Sequence, residues 1–293
     1  MSVLNKGAIF PAQLESEIFS KVKGHSTLAK LSNQEALPFV GKDIFTFNFS
    51  SDLAIVGESA EKPAGDATIT PVSMQPIKVV YQMRTSNEFL YAAEEYQMNV
   101  LAAFGDGFAA KLGSGLDKMA MHGVNPATGT TSALINTKSF DALVTANKVT
   151  YAAATPDANI DAAVALVEAG EYPVNGLAMS TVMRGAIAGL TANGQRKYPE
   201  FGFGAVPETL GSMKMDVNAT VSANSSKDRA IVGDFENCFR FGIAKQLPLE
   251  VIEYGDPDGQ GDLKKLNQVL LRSEAFIGWA IMDPAAFAIV AAE

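Results

Sequence analysis

One cysteine, Cys238, and two histidines, His25 and His122, are the whole supply of thiol and imidazole in this chain of 293 residues. Nucleophilic catalysis by a Cys/His or Ser/His pair, or metal binding by Cys and His, would have to be built from these three. Their spacing supports neither. One thiol allows no internal disulfide, a Cys/His metal site is out of reach, and neither histidine has a recognisable serine and aspartate partner. Cys238, between Asn237 and Phe239 in an expected strand, reads as a small core residue, and His25, in Lys23-Gly24-His25-Ser26, as an exposed loop residue. Gly57-Glu58-Ser59 lacks the closing glycine of a nucleophile elbow. Asp256, Asp258, Gln260 and Gly261 imitate the start of a calcium loop, but the twelfth position is Asn267 where a bidentate glutamate is required, so the segment reads as a solvated loop tip. Gly202 and Gly204 are followed by Pro207 where a dinucleotide loop needs a third glycine, and no βαβ unit surrounds them. Asn218-Ala219-Thr220 fits a glycosylation sequon, but no secretory signal accompanies it. The motifs therefore point to no catalytic residue, no cofactor and no metal, and to a protein that is not an enzyme.

The residues that would have to position such chemistry are those of an ordered, acidic chain. With 47% hydrophobic and 19% charged residues it can bury a sizeable core, which excludes a disordered chain. Its 23 Lys and Arg against 32 Asp and Glu leave a net charge of −9, and no clustered basic surface is available for reading nucleic acid. The most apolar stretch, Ala275 to Ala292, is interrupted by Asp283 and Pro284 and falls short of the ~20 apolar residues of a bilayer-spanning helix. Met1 to Phe10 resembles neither a secretory signal nor a transit peptide, so the chain is expected to stay in the compartment where it is made.

The patterning predicts an α+β fold without repeats. A short helix is expected over Ala12–Val22. Ile44, Phe45, Phe47 and Phe49 alternate at period two, and after the Gly57–Asp66 segment the alternation resumes through Ile69, Val72, Ile77, Val79 and Tyr81. This reads as two long strands joined by a hairpin tip that holds too few apolar neighbours to be stable alone and should lie on something else, with 52–76 mobile in the free protomer because the tip is rich in Gly, Ala and charge. Thr85 to Glu88 has the form of a capping box, and Phe89, Ala93, Tyr96, Val100, Ala103 and Phe104 define one face of a long helix, Ser86 to Met121, ended by the turn residues of Gly123–Gly129. Further expectations are a helix Asn159–Glu168, a buried strand Gly176–Met179, a helix Ser180–Leu190, a strand Lys214–Val221, more strand within Ile231–Ile252, and a long final strand Leu266–Met282.

This order of elements resembles the tailed-phage major capsid protein family, with its Hong Kong 97 capsid fold. The matching residues are Lys62-Pro63-Ala64-Gly65-Asp66 in the hairpin, Ser86-Asn87-Glu88 opening the long helix, and Gly123-Val124-Asn125-Pro126-Ala127-Thr128-Gly129 after it. Val232-Gly233-Asp234-Phe235, Asn267-Gln268-Val269-Leu270-Leu271-Arg272-Ser273-Glu274 and Asp283-Pro284-Ala285-Ala286-Phe287 follow in order. The resemblance implies an N-terminal arm (1–40), an E-loop (41–82), a peripheral domain with a long spine helix (83–155 and 236–283) and an axial domain (156–235 and 284–293). It implies a self-assembling subunit whose hexamers and pentamers form the icosahedral head shell of a bacteriophage. That shell encloses double-stranded DNA without sequence-specific binding and is assembled in the bacterial host cytoplasm, with portal and decoration proteins as further partners. Because the chain starts directly at the arm, scaffolding is expected from a separate protein. An acidic container also avoids holding its DNA too tightly.

Some members of the family weld their shells through an isopeptide bond between a lysine and an asparagine, assisted by a glutamate, and the resemblance places these at Lys62, Asn267 and Glu274. Asn267 and Glu274 are seven residues apart on an expected strand, which puts them ~23 Å apart and turns the two to opposite sides, so one subunit cannot supply the site. The favoured alternative is that Lys62 and Glu274 make ordinary interface ion pairs and Asn267 ends a loop. Two rival functions remain on the sequence alone: an encapsulin-like nanocompartment shell enclosing an enzyme, and an α/β enzyme with a strand-to-helix site at Gly176–Leu190, for which no convergent polar pocket is recognisable.

Overall fold

The computed structural model describes residue 22 and residues 24–49, 53–58, 60–65, 67–92, 94–223 and 226–293. The helix expected over Ala12–Val22 lies outside them except for Val22, which is helical and buried. In chain order the elements are α1 (Thr27–Leu31), β1 (Asn33–Ala36), β2 (Lys42–Phe49), β3 (Ala67–Met74), β4 (Ile77–Ser86), α2 (Glu94–His122), α3 (Phe140–Leu143), β5 (Lys148–Thr150), α4 (Pro156–Glu168), β6 (Gly176–Met179), α5 (Thr181–Ala188), β7 (Thr191–Ala192), β8 (Gln195–Arg196), β9 (Thr209–Leu210), β10 (Met213–Val217), β11 (Asp228–Gly233), α6 (Phe235–Cys238), β12 (Phe239–Ile252), β13 (Gln268–Ile281) and β14 (Phe287–Ala291). The fold is α+β, as the patterning requires. No helix among the described residues is long and apolar enough to cross a membrane.

Two sheets carry the architecture. In the first the order is β1-β12-β13-β4, with β1 parallel to β12 and the other pairs antiparallel. Its long strands β12 and β13 pack against α2, which buries Leu101, Phe104, Phe108, Leu112 and Leu116 at three- and four-residue steps. The stripe expected from Tyr96 and Ala103 is displaced: both are exposed, and the buried face is set by the bulkier residues that reach the sheet. The second sheet has the order β5-β14-β11-β6-β10-β9 and packs α4 and α5 over a separate core of Ile160, Val167, Leu177, Met179, Met183 and Phe201. Phe140, Phe235, Phe239 and Phe287 cluster in the first core, with ring centroids 4.9–6.2 Å apart. Each such ring contributes about 1.5–3 kcal/mol by burial.

Several boundaries differ from the expected ones for local reasons. The helix cap is Ser86, not Thr85. Its Oγ accepts from the Glu88 N–H at 3.3 Å and starts a 3-10 turn, Asn87–Tyr91, so the α-helix itself begins only at Glu94. The strand Lys214–Val221 ends at Val217, because the Asn218 side chain accepts from the Thr220 N–H and folds Ala219–Ser222 into a 3-10 turn. Cys238 is half-buried at the end of α6, not in a strand, because Asp234 caps that helix through the Asn237 N–H. The supposed final strand is followed by β14, which inserts between β5 and β11.

Candidate functional site

β2 and β3 form a hairpin whose register runs from Lys42 opposite Met74 to Phe49 opposite Ala67, and among the described residues these strands pair with no others. The continuous return strand expected through Tyr81 is broken at Gln75-Pro76, after which β4 leaves the hairpin and joins β13. Leu37, Met74 and Ala280 make a small core at the hairpin base. That base is laid across the first sheet over two paired glycines. A Cβ on Gly242 would stand 2.8 Å from Leu37 Cβ, and one on Gly278 would stand 2.8 Å from Gln75 O. Beyond the base, Phe45 and Ile69 are exposed, and at the tip Leu53 and Ile55 are fully so. Each large aliphatic left in water forgoes about 1.5–3 kcal/mol, so this projection is built to be covered.

A receiving surface of similar character lies on the long helix. Tyr91, Tyr96 and Met98 are exposed at and before its N-terminal half, and Val80, Tyr81 and Met83 on the neighbouring strand β4. Between β4 and α2 a cleft of about 650 Å³ opens, lined by Ile77, Val79, Phe108, Leu112 and Met119 and edged by Lys111 and Lys118.

Three polar clusters hold these surfaces in place. Asp117, buried on α2, accepts from Ser26 Oγ (2.6 Å), the Thr27 N–H (2.9 Å), the Leu28 N–H (3.1 Å) and Thr220 Oγ1 (2.8 Å), which pins the first turn of α1 to the long helix. Burial raises its carboxyl to about 6, with the four donors working against a larger rise. Arg84 of β4 grips the 253–267 loop through both oxygens of Asp258, through Gly261 O (2.8 Å) and through Asp256 (3.3 Å). The guanidinium hydrogen bond holds Asp258 down to about 2. The segment that reads as a solvated loop tip is therefore an arginine-clamped loop. His122, at the end of α2, is flanked by Asp141 (Nδ1 to Oδ2, 2.9 Å) and Asp228 (Nδ1 to Oδ2, 3.6 Å), while its Nε2 lies 3.0 Å from Thr220 O. Burial works against the imidazolium, but the hydrogen bond to Asp141 and the charge around it outweigh that and raise the histidine; burial pushes Asp228 up to about 7. The aspartate partners that the sequence does not reveal for His122 are thus supplied by distant elements.

The family model for the phage capsid family matches residues 6–292. A solved structure from Mycobacterium phage Ogopogo superposes with a TM-score of 0.77 at 34% identity, covering 92% of each chain. The chain belongs to the phage capsid family. A structure from Gordonia phage Cozz shares the fold at 22% identity, with a TM-score of 0.75 over 92% of this chain and 87% of that one. So does the capsid of an empty GTA particle, at 16% identity and a TM-score of 0.62 over 92% and 90%. The comparison with curated proteins returned no match. The capsid protein is a structural component of the virion, a major capsid protein that forms the head shell of a tailed phage from many copies of itself.

In this capsid protein Lys62 is exposed in the hairpin tip. Asn267 does not lie on the strand, as the spacing argument assumes. It occupies a left-handed turn (φ 53°) one residue before β13, where its carbonyl accepts from the Asn87 N–H at 2.9 Å. Glu274 faces Lys78 across the β13–β4 pair, with Nζ 2.7 Å from Oε2. Lys62, Asn267 and Glu274 make no hydrogen bond or ion pair with one another within the chain.

Proposed function

We propose that copies of this capsid protein form hexamers and pentamers of an icosahedral shell around double-stranded DNA, each subunit laying its β2–β3 hairpin over the long helix of a neighbour. The observation that carries this reading is the hairpin itself: paired only internally among the described residues, rooted in a small core, and presenting Leu53 and Ile55 to water. In this reading 1–40 is an arm and 41–82 the E-loop, the α2 region with the long strands (83–155 and 236–283) is the peripheral domain, and 156–235 with 284–293 is the axial domain. The protein works without catalysis. DNA is held by enclosure and not by base recognition, in keeping with a net charge of −9. Assembly takes place in the bacterial host cytoplasm, with portal, scaffolding or decoration proteins as partners. For Lys62, Asn267 and Glu274 we keep the reading without a cross-link: Asn267 lies in the turn before β13, and Glu274 is paired with Lys78 of its own chain, which occupies the carboxylate that the cross-link would need as a base.

Deleting Gly57–Asp66 tests the proposal. The expected result is a folded subunit, unchanged in circular dichroism, that no longer yields stable shells. A deletion that unfolds the subunit would place the segment in the core, and one that still yields stable shells would remove the hairpin from assembly.

A further inference from the structure

We propose that His122, Asp141 and Asp228 bind a divalent transition-metal ion, with Nδ1 of the histidine and one carboxylate oxygen of each aspartate as protein ligands. These three atoms lie within 4.8 Å of one another, and they come from three elements: the end of α2, α3 and the start of β11. The orientation of the ring is what points to a cation. Thr220 O can only accept, so Nε2, 3.0 Å from it, carries a hydrogen. In the neutral ring the lone pair of Nδ1 then faces two carboxylate oxygens, at 2.9 and 3.6 Å. Three lone pairs converge on one region, which protons or a cation must occupy. A single proton on Nδ1 serves Asp141 Oδ2 alone; Asp228 Oδ2, buried at 3.6 Å from Nδ1 and without a donor of its own, then needs either a second proton shared with Asp141 or a metal ion. A metal ion among the three satisfies every one of them.

The surroundings match a metal site in two further respects. Metal-ligating histidines characteristically donate their other ring N–H to a carbonyl or carboxylate, which fixes the tautomer, and here Thr220 O accepts it. Two carboxylates and a neutral imidazole carry a charge of −2, which a divalent ion cancels in a place where Asp228 is only 7% exposed. Asp141, whose side chain is 37% exposed, leaves one side open for the ion and its waters. One nitrogen and two carboxylate oxygens suit zinc, manganese, iron, cobalt or nickel ions better than calcium or magnesium, which favour oxygen alone. Such an ion would tie the long helix to the second sheet and add to the rigidity of the subunit.

The test uses the full chain, stripped with a chelator and titrated at pH 7.5 with Zn²⁺, Mn²⁺ and Co²⁺, with Mg²⁺ and Ca²⁺ as controls. Calorimetry should give one transition-metal ion per chain, the melting temperature should rise by several degrees, and Co²⁺ should develop visible absorption bands. D228N and D141N preserve side-chain shape, and each should remove the bands and at least tenfold of the affinity. D141N alters the more exposed ligand and is the variant to read if D228N does not fold. The absence of saturable binding below 100 μM, or binding and bands unchanged in the folded variant, would overturn the proposal. Wild-type chain that ignores metal while D228N gains stability would show that protons alone occupy the cluster, and would overturn it equally.

Discussion

Replacing Asp117 by asparagine changes one atom and should release the N-terminal segment from the long helix. Oδ1 accepts from Ser26 Oγ and the Leu28 N–H, and Oδ2 from the Thr27 N–H and Thr220 Oγ1. A carboxamide has one acceptor oxygen, so its NH₂ must face one backbone N–H and one hydroxyl. The hydroxyl can rotate and accept; the backbone N–H cannot, and it is left buried and unpartnered at a cost of about 1–3 kcal/mol. Losing the charge that strengthens the remaining bonds brings the total to roughly 2–4 kcal/mol. The pH dependence carries a sign. The folded-state carboxyl lies at about 6, above its ordinary 3.8, so the folded chain binds a proton the unfolded chain does not as pH falls between those values. Stability from this group is greatest below 3.8 and lost as pH rises through 6, so the gap between wild type and D117N should widen by about 2 kcal/mol between pH 7 and 4.5. Urea unfolding of the unassembled chain, followed by the fluorescence of its one tryptophan, Trp279, reads both quantities. A variant as stable as wild type at pH 7, or a gap that narrows on acidification, would refute the reasoning.

Gly278→Val should cost about 1–3 kcal/mol and loosen the hairpin base, because its Cβ would meet Gln75 O at 2.8 Å and Leu37 Cδ2 at 2.8 Å; urea midpoints and shell yield check it. Arg84→Leu should free the 253–267 loop and speed its cleavage in limited proteolysis at pH 7. Because Asp258 is held down to about 2, the clamp's contribution persists above the ordinary carboxylate range and is lost only as pH falls from about 4 to 2, so wild-type resistance should be the same at pH 7 and 5. Boiling mature particles in detergent should give a single band near the 31.0 kDa monomer; a ladder that disappears in Lys62→Ala would establish the cross-link instead.

The long helix and the two arms of the hairpin are legible because their periods, 3.6 and 2, are imposed by one-sided burial. β14 is not, since Phe287, Ala288, Ile289 and Val290 are all buried and such a run shows no alternation to separate it from the apolar stretch before it. The break at Gln75-Pro76 is marked by its proline, yet period two continues across it, so the change of partner strand is invisible locally. The acidic loop at Asp256 and Asp258 misleads for a chemical reason: carboxylates spaced to surround a cation look alike whether that cation is calcium or the guanidinium of Arg84, which lies far away in sequence. His122 is hidden in the same way. Asp141 and Asp228 reach it only after α3 and β11 are packed, and no spacing rule along the chain connects them.

Electron microscopy of the assembled particle tests the central claim most directly. Closed shells are expected in which the β2–β3 hairpin of one subunit lies across the Tyr91, Tyr96 and Met98 face of its neighbour, with Leu53 and Ile55 covered. A protein that stays monomeric with its assembly partners present, or shells in which that hairpin touches only its own subunit, would contradict it.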